Sequence, residues 1–182
     1  GNGRTDKGGT VITITGGTIT SENSVAIYHP QTGTLTIGTE GSSDNSTPSI
    51  KGVGGIEMRS GTLNVYSGTI EATGVFDATA NGNGSTTEGV AVAISQHTTN
   101  NPITANISGG VIKATGSSGY GIYEQDLQNP STGEAVAINV TGGTVSGTTA
   151  SVDVEDSNVR AFISGGTFTG DIETGTDATI VI

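Results

Sequence analysis

The phrase V-I-T-I-T-G-G-T-I at residues 11–19 returns as N-I-S-G-G-V-I-K at 106–113, as N-V-T-G-G-T-V-S at 139–146 and as F-I-S-G-G-T-F-T-G at 162–170. A chain that rewrites one phrase rebuilds one structural unit. A unit too short to bury its own apolar face must bury it against its neighbours. The last apolar residue before each glycine-containing step falls at Ile14, Ile37, Val65, Ile107, Val140 and Ile163, with spacings of 23, 28, 42, 33 and 23 residues. That series fits a fixed unit carrying insertions of variable length better than it fits a strict period.

Each unit holds three short apolar pulses. The first alternates with period two into its anchor, as in I-T-I from Ile12, L-T-I from Leu35, L-N-V from Leu63 and I-N-V from Ile138, which reads as a strand with one buried face. A G-G or S-G step follows, where a tight corner demands φ values that β-branched residues resist. The second pulse points Ile19, Ile70, Ile112, Val145 and Phe168 inward. The third is V-A-I-Y from Val25, I-E-M-R from Ile56, V-A-I-S from Val92, Y-G-I-Y from Tyr120 and V-D-V-E from Val152. The expected fold is all-β: a right-handed parallel β-helix with three short strands per coil and about six coils. Stacked at about 4.8 Å, these form a rod of roughly 25–30 Å. An antiparallel sandwich would want hairpin turns at regular short intervals and no repetition of phrase. The expected organisation is a flexible segment over residues 1–10 and a single domain over 11–182.

Composition supports a packed chain. Glycine, at 31 of 182 residues, brings the apolar share to roughly 48%, within the about 45–50% of folded domains. There is no cysteine, hence no disulfide framework and no thiolate metal site. The net charge is −11, and the six basic residues (Arg4, Lys7, Lys51, Arg59, Lys113, Arg160) are scattered, which argues against nucleic acid as a partner. No apolar run is long enough to cross a membrane as a helix, so membrane insertion is not expected.

The runs I-N-V-T-G-G-T-V-S-G, A-N-I-S-G-G-V-I-K-A-T-G and A-F-I-S-G-G-T-F-T-G-D-I resemble the glycine-stepped repeats of pectate-lyase-like β-helix proteins of bacterial surfaces, and the I-S-G-G-T type of repeat in particular. The resemblance covers about residues 11–182. It implies a secreted or cell-surface location, with any signal peptide removed upstream. It also implies adhesion or binding of a polysaccharide or host-surface glycan, passive spacing in a longer surface protein, or polysaccharide cleavage. A related carbohydrate-binding branch carries a D-D-G-I step that helps to hold calcium. The corresponding steps here, at Asn23, Gly54 and Gly119, lack the paired aspartates, so calcium does not carry over residue by residue.

In stacked repeats, function collects in columns of outward residues. Registering the third pulse on Ile27, Met58, Ile94, Ile122 and Val154 gives an outward column of Tyr28, Arg59, Ser95, Tyr123 and Glu155. The following column is His29, Ser60, Gln96, Glu124 and Asp156. Rings that stack on sugar C–H faces, beside groups that take hydroxyls, suit a carbohydrate. The expected binding residues are Tyr28, Arg59, Tyr123, Glu124 and Glu155, in a shallow groove walled by the connections at 29–33, 96–102 and 124–134. A wet β face rich in Tyr is the plainer reading of the same residues. Glu124, Glu155 and Asp156 would serve a cleaving enzyme, but a glycosidase acid needs burial to raise its pKa and an open face does not supply it. No catalytic residue is therefore assigned. Asp153, Glu155 and Asp156 offer hard oxygen ligands that a calcium ion could use, as do Asp44 and Asn45, without EF-hand spacing. His29 and His97 have no nearby Cys or second His, which disfavours zinc. Outward Thr18, Thr69, Thr144 and Thr167, with Val111 interrupting, read as strand-forming residues on a wet face. Asn64, Asn106 and Asn139 read as an amide ladder. The closing D-A-T-I-V-I leaves three options open: a capping strand, continuation in a longer protein, or end-to-end association.

Overall fold

The computed structural model describes residues 8–78, 87–96, 101–125 and 135–182. Within them the chain forms strands and no helix. The first unit is β1 (Thr10–Ile14), β2 (Thr18–Thr20) and β3 (Val25–His29). The second is β4 (Gly33–Ile37), β5 (Ser49–Gly52) and β6 (Gly54–Met58), and the third is β7 (Gly61–Val65), β8 (Thr69–Ala72) and β9 (Val90–Ile94). The fourth is β10 (Ile103–Ile107), β11 (Val111–Ala114) and β12 (Tyr120–Glu124). In the fifth and sixth units the second and third strands run together, so that β13 (Val136–Val140) is followed by β14 (Thr144–Val154), and β15 (Val159–Ile163) by β16 (Thr167–Thr174). β17 (Thr179–Val181) comes last. Three short strands per unit thus hold for four units, and two longer, bent strands replace them in the next two. The bend in β14 shows as register shifts between Ser146 and Ala150 and between Ala150 and Val152.

Each strand pairs in parallel with its counterpart in the next unit. The first ladder runs β1-β4-β7-β10-β13-β15-β17. The second ladder holds β2, β5, β8, β11 and the leading parts of β14 and β16. The third holds β3, β6, β9, β12 and the trailing parts of β14 and β16. Because β14 belongs to both, these two ladders join as one sheet.

The sequence anchors pair as expected, Ile14 with Ile37, then Val65, Ile107, Val140 and Ile163. The second-ladder column is Ile19, Ile50, Ile70, Ile112, Val145 and Phe168, with Ile50 supplying the member that the pulse pattern skipped. These columns meet in one apolar core in which Leu35, Ile50, Leu63, Ile70, Ile112 and Ile138 have no solvent exposure. The amide ladder is formed: Asn106 Nδ2 donates to Asn64 Oδ1 at 3.0 Å, and Asn139 Nδ2 donates to Asn106 Oδ1 at 2.9 Å. In the threonine column, Ser49 and Val111 interrupt Thr18, Thr69, Thr144 and Thr167.

Each of the first six units turns its step on one glycine of positive φ, among them Gly68 at 92° and Gly110 at 83°. At Gly68 a Cβ would stand 2.5 Å from the Pro48 carbonyl oxygen, so both the conformation and the close approach of the neighbouring unit require glycine. Residues 1–7 of the expected flexible segment lie outside the described residues, and Thr10 already belongs to β1.

Candidate functional site

The third ladder carries the side chains that could do chemistry, but not in the expected register. The core column is Ile27, Ile56, Val92, Ile122 and Val152. Met58, Ile94 and Val154 stand two places further on. A slip of two residues keeps every inward residue inward, so alternation cannot detect it. The outward column is therefore Tyr28, Glu57, Ala93, Tyr123, Asp153 and Glu173. Arg59, Ser95 and Glu155 belong two rows later, where Arg59 N bonds His29 O and Glu155 N bonds Glu124 O.

Period-two alternation fails here for a physical reason. Ala26 with Ile27, and Ala91 with Val92, are consecutive residues that pack on the same core, while Val90 and Ala93 join a separate outer cluster. A small residue followed by a β-branched one (Ala26-Ile27, Gly55-Ile56, Ala91-Val92, Gly121-Ile122, Ser151-Val152) marks this bend in every unit but the sixth. Ala93-Ile94 repeats the same pair two places on, so the pair by itself does not fix the register. A side chain at Gly55 would press on the Ala91 backbone and the Ile70 side chain.

Arg59 and Glu57 are fully buried, which removes Arg59 from the expected open groove. Arg59 Nη1 donates to Glu57 Oε1 at 3.2 Å and to Ser95 Oγ at 3.1 Å, and Glu57 Oε2 accepts from Thr87 N at 3.0 Å. Burial pushes the Glu57 carboxyl up to about 7, against the opposing pull of Arg59 and the Thr87 bond. Thr87 belongs to the connection between β8 and β9. The two described stems of that connection are bridged by Asp77 and Glu88. Its Phe76 ring lies 4.6 Å from the Tyr120 ring and 4.9 Å from the Tyr123 ring, centroid to centroid, so the connection crosses the third ladder.

The Tyr120 and Tyr123 rings are 5.1 Å apart, completing an aromatic triad with Phe76. Tyr123 is only 7% exposed and donates its hydroxyl to Gln125 Oε1 at 2.6 Å. Tyr120, which the column reading left out, is the half-buried ring that solvent reaches. Glu124 pairs with Ile94 and Val154 and has no exposure; its Oε2 accepts from Asp156 N at 3.3 Å. Glu124 and Asp156 do meet across neighbouring units, but Glu124 serves a backbone N–H and is not an outward ligand group. Tyr28 is half-buried near the Glu57–Arg59 pair. Burial raises its hydroxyl pKa, with Arg59 pulling down and Glu57 pushing up.

Beside the aromatic triad the column ends in acids. Asp153 is 4% exposed, Glu155 half-buried and Glu173 exposed. Burial first, then the charges of Glu155 and Glu173 and a hydrogen bond to Glu155, lift Asp153 from an ordinary 3.8 to about 6. Its Oδ1 is buried with no hydrogen-bond partner. Burial, and then the charges of Asp153, Glu173 and Glu155, also raise the Tyr120 hydroxyl. Tyr123 is raised by burial, Glu155 and Asp153. Among the described residues no three His, Asp or Glu side chains are grouped to hold a metal ion, and this covers Asp153, Glu155 and Asp156. Asp44 is instead bound to Ser46, through its N at 2.8 Å and its Oγ at 2.6 Å. His29 is buried, which lowers its pKa, and His97 lies outside the described residues, as do parts of the 96–102 and 124–134 connections.

A cavity of about 420 Å³ opens elsewhere, at the first unit, between Ile12, Ile14, Ile19, Ile27 and Leu35. It lies at the first-unit end of the core, and no Asp or Glu is among its described lining residues. No family model, curated protein or solved structure matches this chain.

Proposed function

We propose that this chain is a right-handed parallel β-helix of the pectate-lyase-like kind, from a secreted or cell-surface protein, and that it binds polysaccharide without cleaving it. Three parallel ladders with one glycine step per unit support the helix, and the strong right-handed preference of parallel crossovers supports its hand. No helix among the described residues is long and apolar enough to cross a membrane.

The observation that carries the binding role is the half-buried Tyr120 ring, backed by Phe76 and Tyr123, with Asp153 and Glu173 following Tyr123 in the same outward column. A ring held by two others is preorganised, so little side-chain entropy is lost when a pyranose stacks on it. The acids accept hydroxyl hydrogens at its rim.

The test is a polysaccharide array probed with the whole chain, with calcium and with chelator. Binding that survives in wild type and falls at least about tenfold in Tyr120→Ala (about 1.4 kcal/mol) supports the face. A blank array, or binding indifferent to Tyr120→Ala, overturns it. Release of reducing or unsaturated ends would favour a cleaving enzyme, for which the raised Asp153 carboxyl would be the acid.

A further inference from the structure

We propose that the described stems of the connection between β8 and β9 form a stop across the third ladder, with Phe76 at its edge, so that the face at Tyr120 takes the end of a saccharide chain and not the interior of a polymer laid along the rod. This rests on the polysaccharide reading above and names the part of the polymer that is bound.

The outward residues come first. One outward column of the third ladder is Tyr28, Glu57, Ala93, Tyr123, Asp153 and Glu173, and a second places Tyr120 between Val90 and Ala150. Left open, the first column would join Tyr28 to Tyr123 across three strand spacings, about 14 Å, as one groove for several sugar rings. The third unit gives this groove a low floor of Val90 and Ala93.

The connection fills that low stretch. Val90 is fully buried and Ala93 is 1% exposed, in a cluster that Phe76, Ala78 and Tyr120 complete. The Phe76 ring packs on both Tyr120 and Tyr123, in a position that a sugar stacking on these rings would need. Tyr28 lies on the far side, so the two tyrosines of one column do not share a groove.

The stems are built into the ladder. Thr73 N and Gly74 N donate to Gly52 O and Val53 O at 2.9 and 3.0 Å, and Gly89 N donates to Val53 O at 3.0 Å. Thr87 N donates to the buried Glu57 carboxylate at 3.0 Å. A Cβ at Gly54 would stand 2.7 Å from the Thr87 carbonyl oxygen, so the outward face of the second unit is shaped to take this backbone. Running a polymer through would lift Phe76 off two rings and break the Thr87 bond, losing more than one new stacking contact returns.

The fourth unit shows how the same turn is made without a stop. Ala72 pairs with Ala114 and Val90 with Tyr120, yet residues 73–89 join the first two strands where residues 115–119 suffice for the second. Replacing 73–89 by the sequence of 115–119 therefore removes the stop, and Phe76→Ala trims its edge.

Neutral glucan, mannan, xylan and galactan oligosaccharides of graded length, from dimer to octamer, are titrated into the full chain and both variants. From Tyr120 to the sixth unit is two strand spacings, about 10 Å, or room for about two to three sugar rings. Wild-type affinity is expected to level off at that length. In the replacement variant the octamer is expected to bind at least about tenfold tighter than the trimer, and Tyr28→Ala to abolish that gain in this variant alone. Phe76→Ala, with its thermal midpoint retained, is expected to shift the plateau by about one ring. Wild-type affinity that keeps rising to the octamer, or binding of long polymers without any oligosaccharide, overturns the stop and leaves the polysaccharide reading standing. The same plateau in all three proteins, or binding lost altogether in Phe76→Ala, also overturns it and makes Phe76 a support for Tyr120. Binding of no probe, together with a blank polysaccharide array, removes both readings.

Discussion

Replacing Asp153 by Asn should make this protein more stable at alkaline pH and scarcely alter it in acid. The carboxyl sits with 4% exposure in the outward column of the third ladder, beside Glu155 and Glu173. Its pKa rises from 3.8 to about 6 on folding. The folded state therefore keeps a proton that the unfolded chain has already released. The stability linked to that proton is complete below the ordinary value and is lost as pH rises through the folded one. The two values imply a penalty of about 3 kcal/mol at pH 8 and about 0.5 kcal/mol at pH 4. Asn is isosteric with the protonated acid and can donate to Glu155, so the substitution removes the penalty without opening a cavity. Urea denaturation of wild type and variant at the two pH values reads the difference directly. An equal stability change at both, or a loss at pH 8, would refute the placement of Asp153 among like charges. A gain in stability accompanied by weaker polysaccharide binding would mark Asp153 as a functional residue retained at a cost to the fold.

The buried pair gives a second outcome. Arg59→Met should destabilise by about 3–5 kcal/mol above pH 7, and less near pH 5, where Glu57 can take a proton; adding Glu57→Gln should restore much of the loss, as measured by chemical denaturation. Gly68→Ala should cost more than Gly17→Ala. Both have positive φ, at 92° and 84°, worth about 1–2 kcal/mol of strain, but only at Gly68 does the new methyl meet a backbone oxygen. Ile112→Ala, in the middle of the second-ladder column, should lower stability by about 2–5 kcal/mol through lost burial and the cavity left behind. Asn106→Ala removes the central rung of the amide ladder and should cost about 1–2 kcal/mol; equal stability of wild type and variant would show that the ladder contributes nothing net.

Much of the architecture was legible in the residues. The anchors from Ile14 to Ile163 pair as their spacing implied, because a glycine step and an alternating pulse mark both ends of each first-ladder strand. The Asn rungs were legible for the same reason: a fixed offset from an anchor places a residue in a column. The third ladder was not. I-E-M and V-A-I each offer two inward residues, and a two-residue slip buries apolar side chains either way. That slip turned Arg59 outward although it is buried in the fold, and it concealed Glu57.

The sequence by itself determined the class of fold and the chemistry available to it: short strands, glycine corners, an acidic surface and few rings. Those properties follow from local conformational preference and composition, which need no partner in space. The tertiary structure alone decided which carboxyls lose their water and which ring keeps its exposure. It brought Phe76 across from a connection to cover Tyr123 and leave Tyr120 at the surface. It also set Asp153 against Glu155 and Glu173. Burial and charge proximity are properties of the packed assembly of units, and no single repeat carries them.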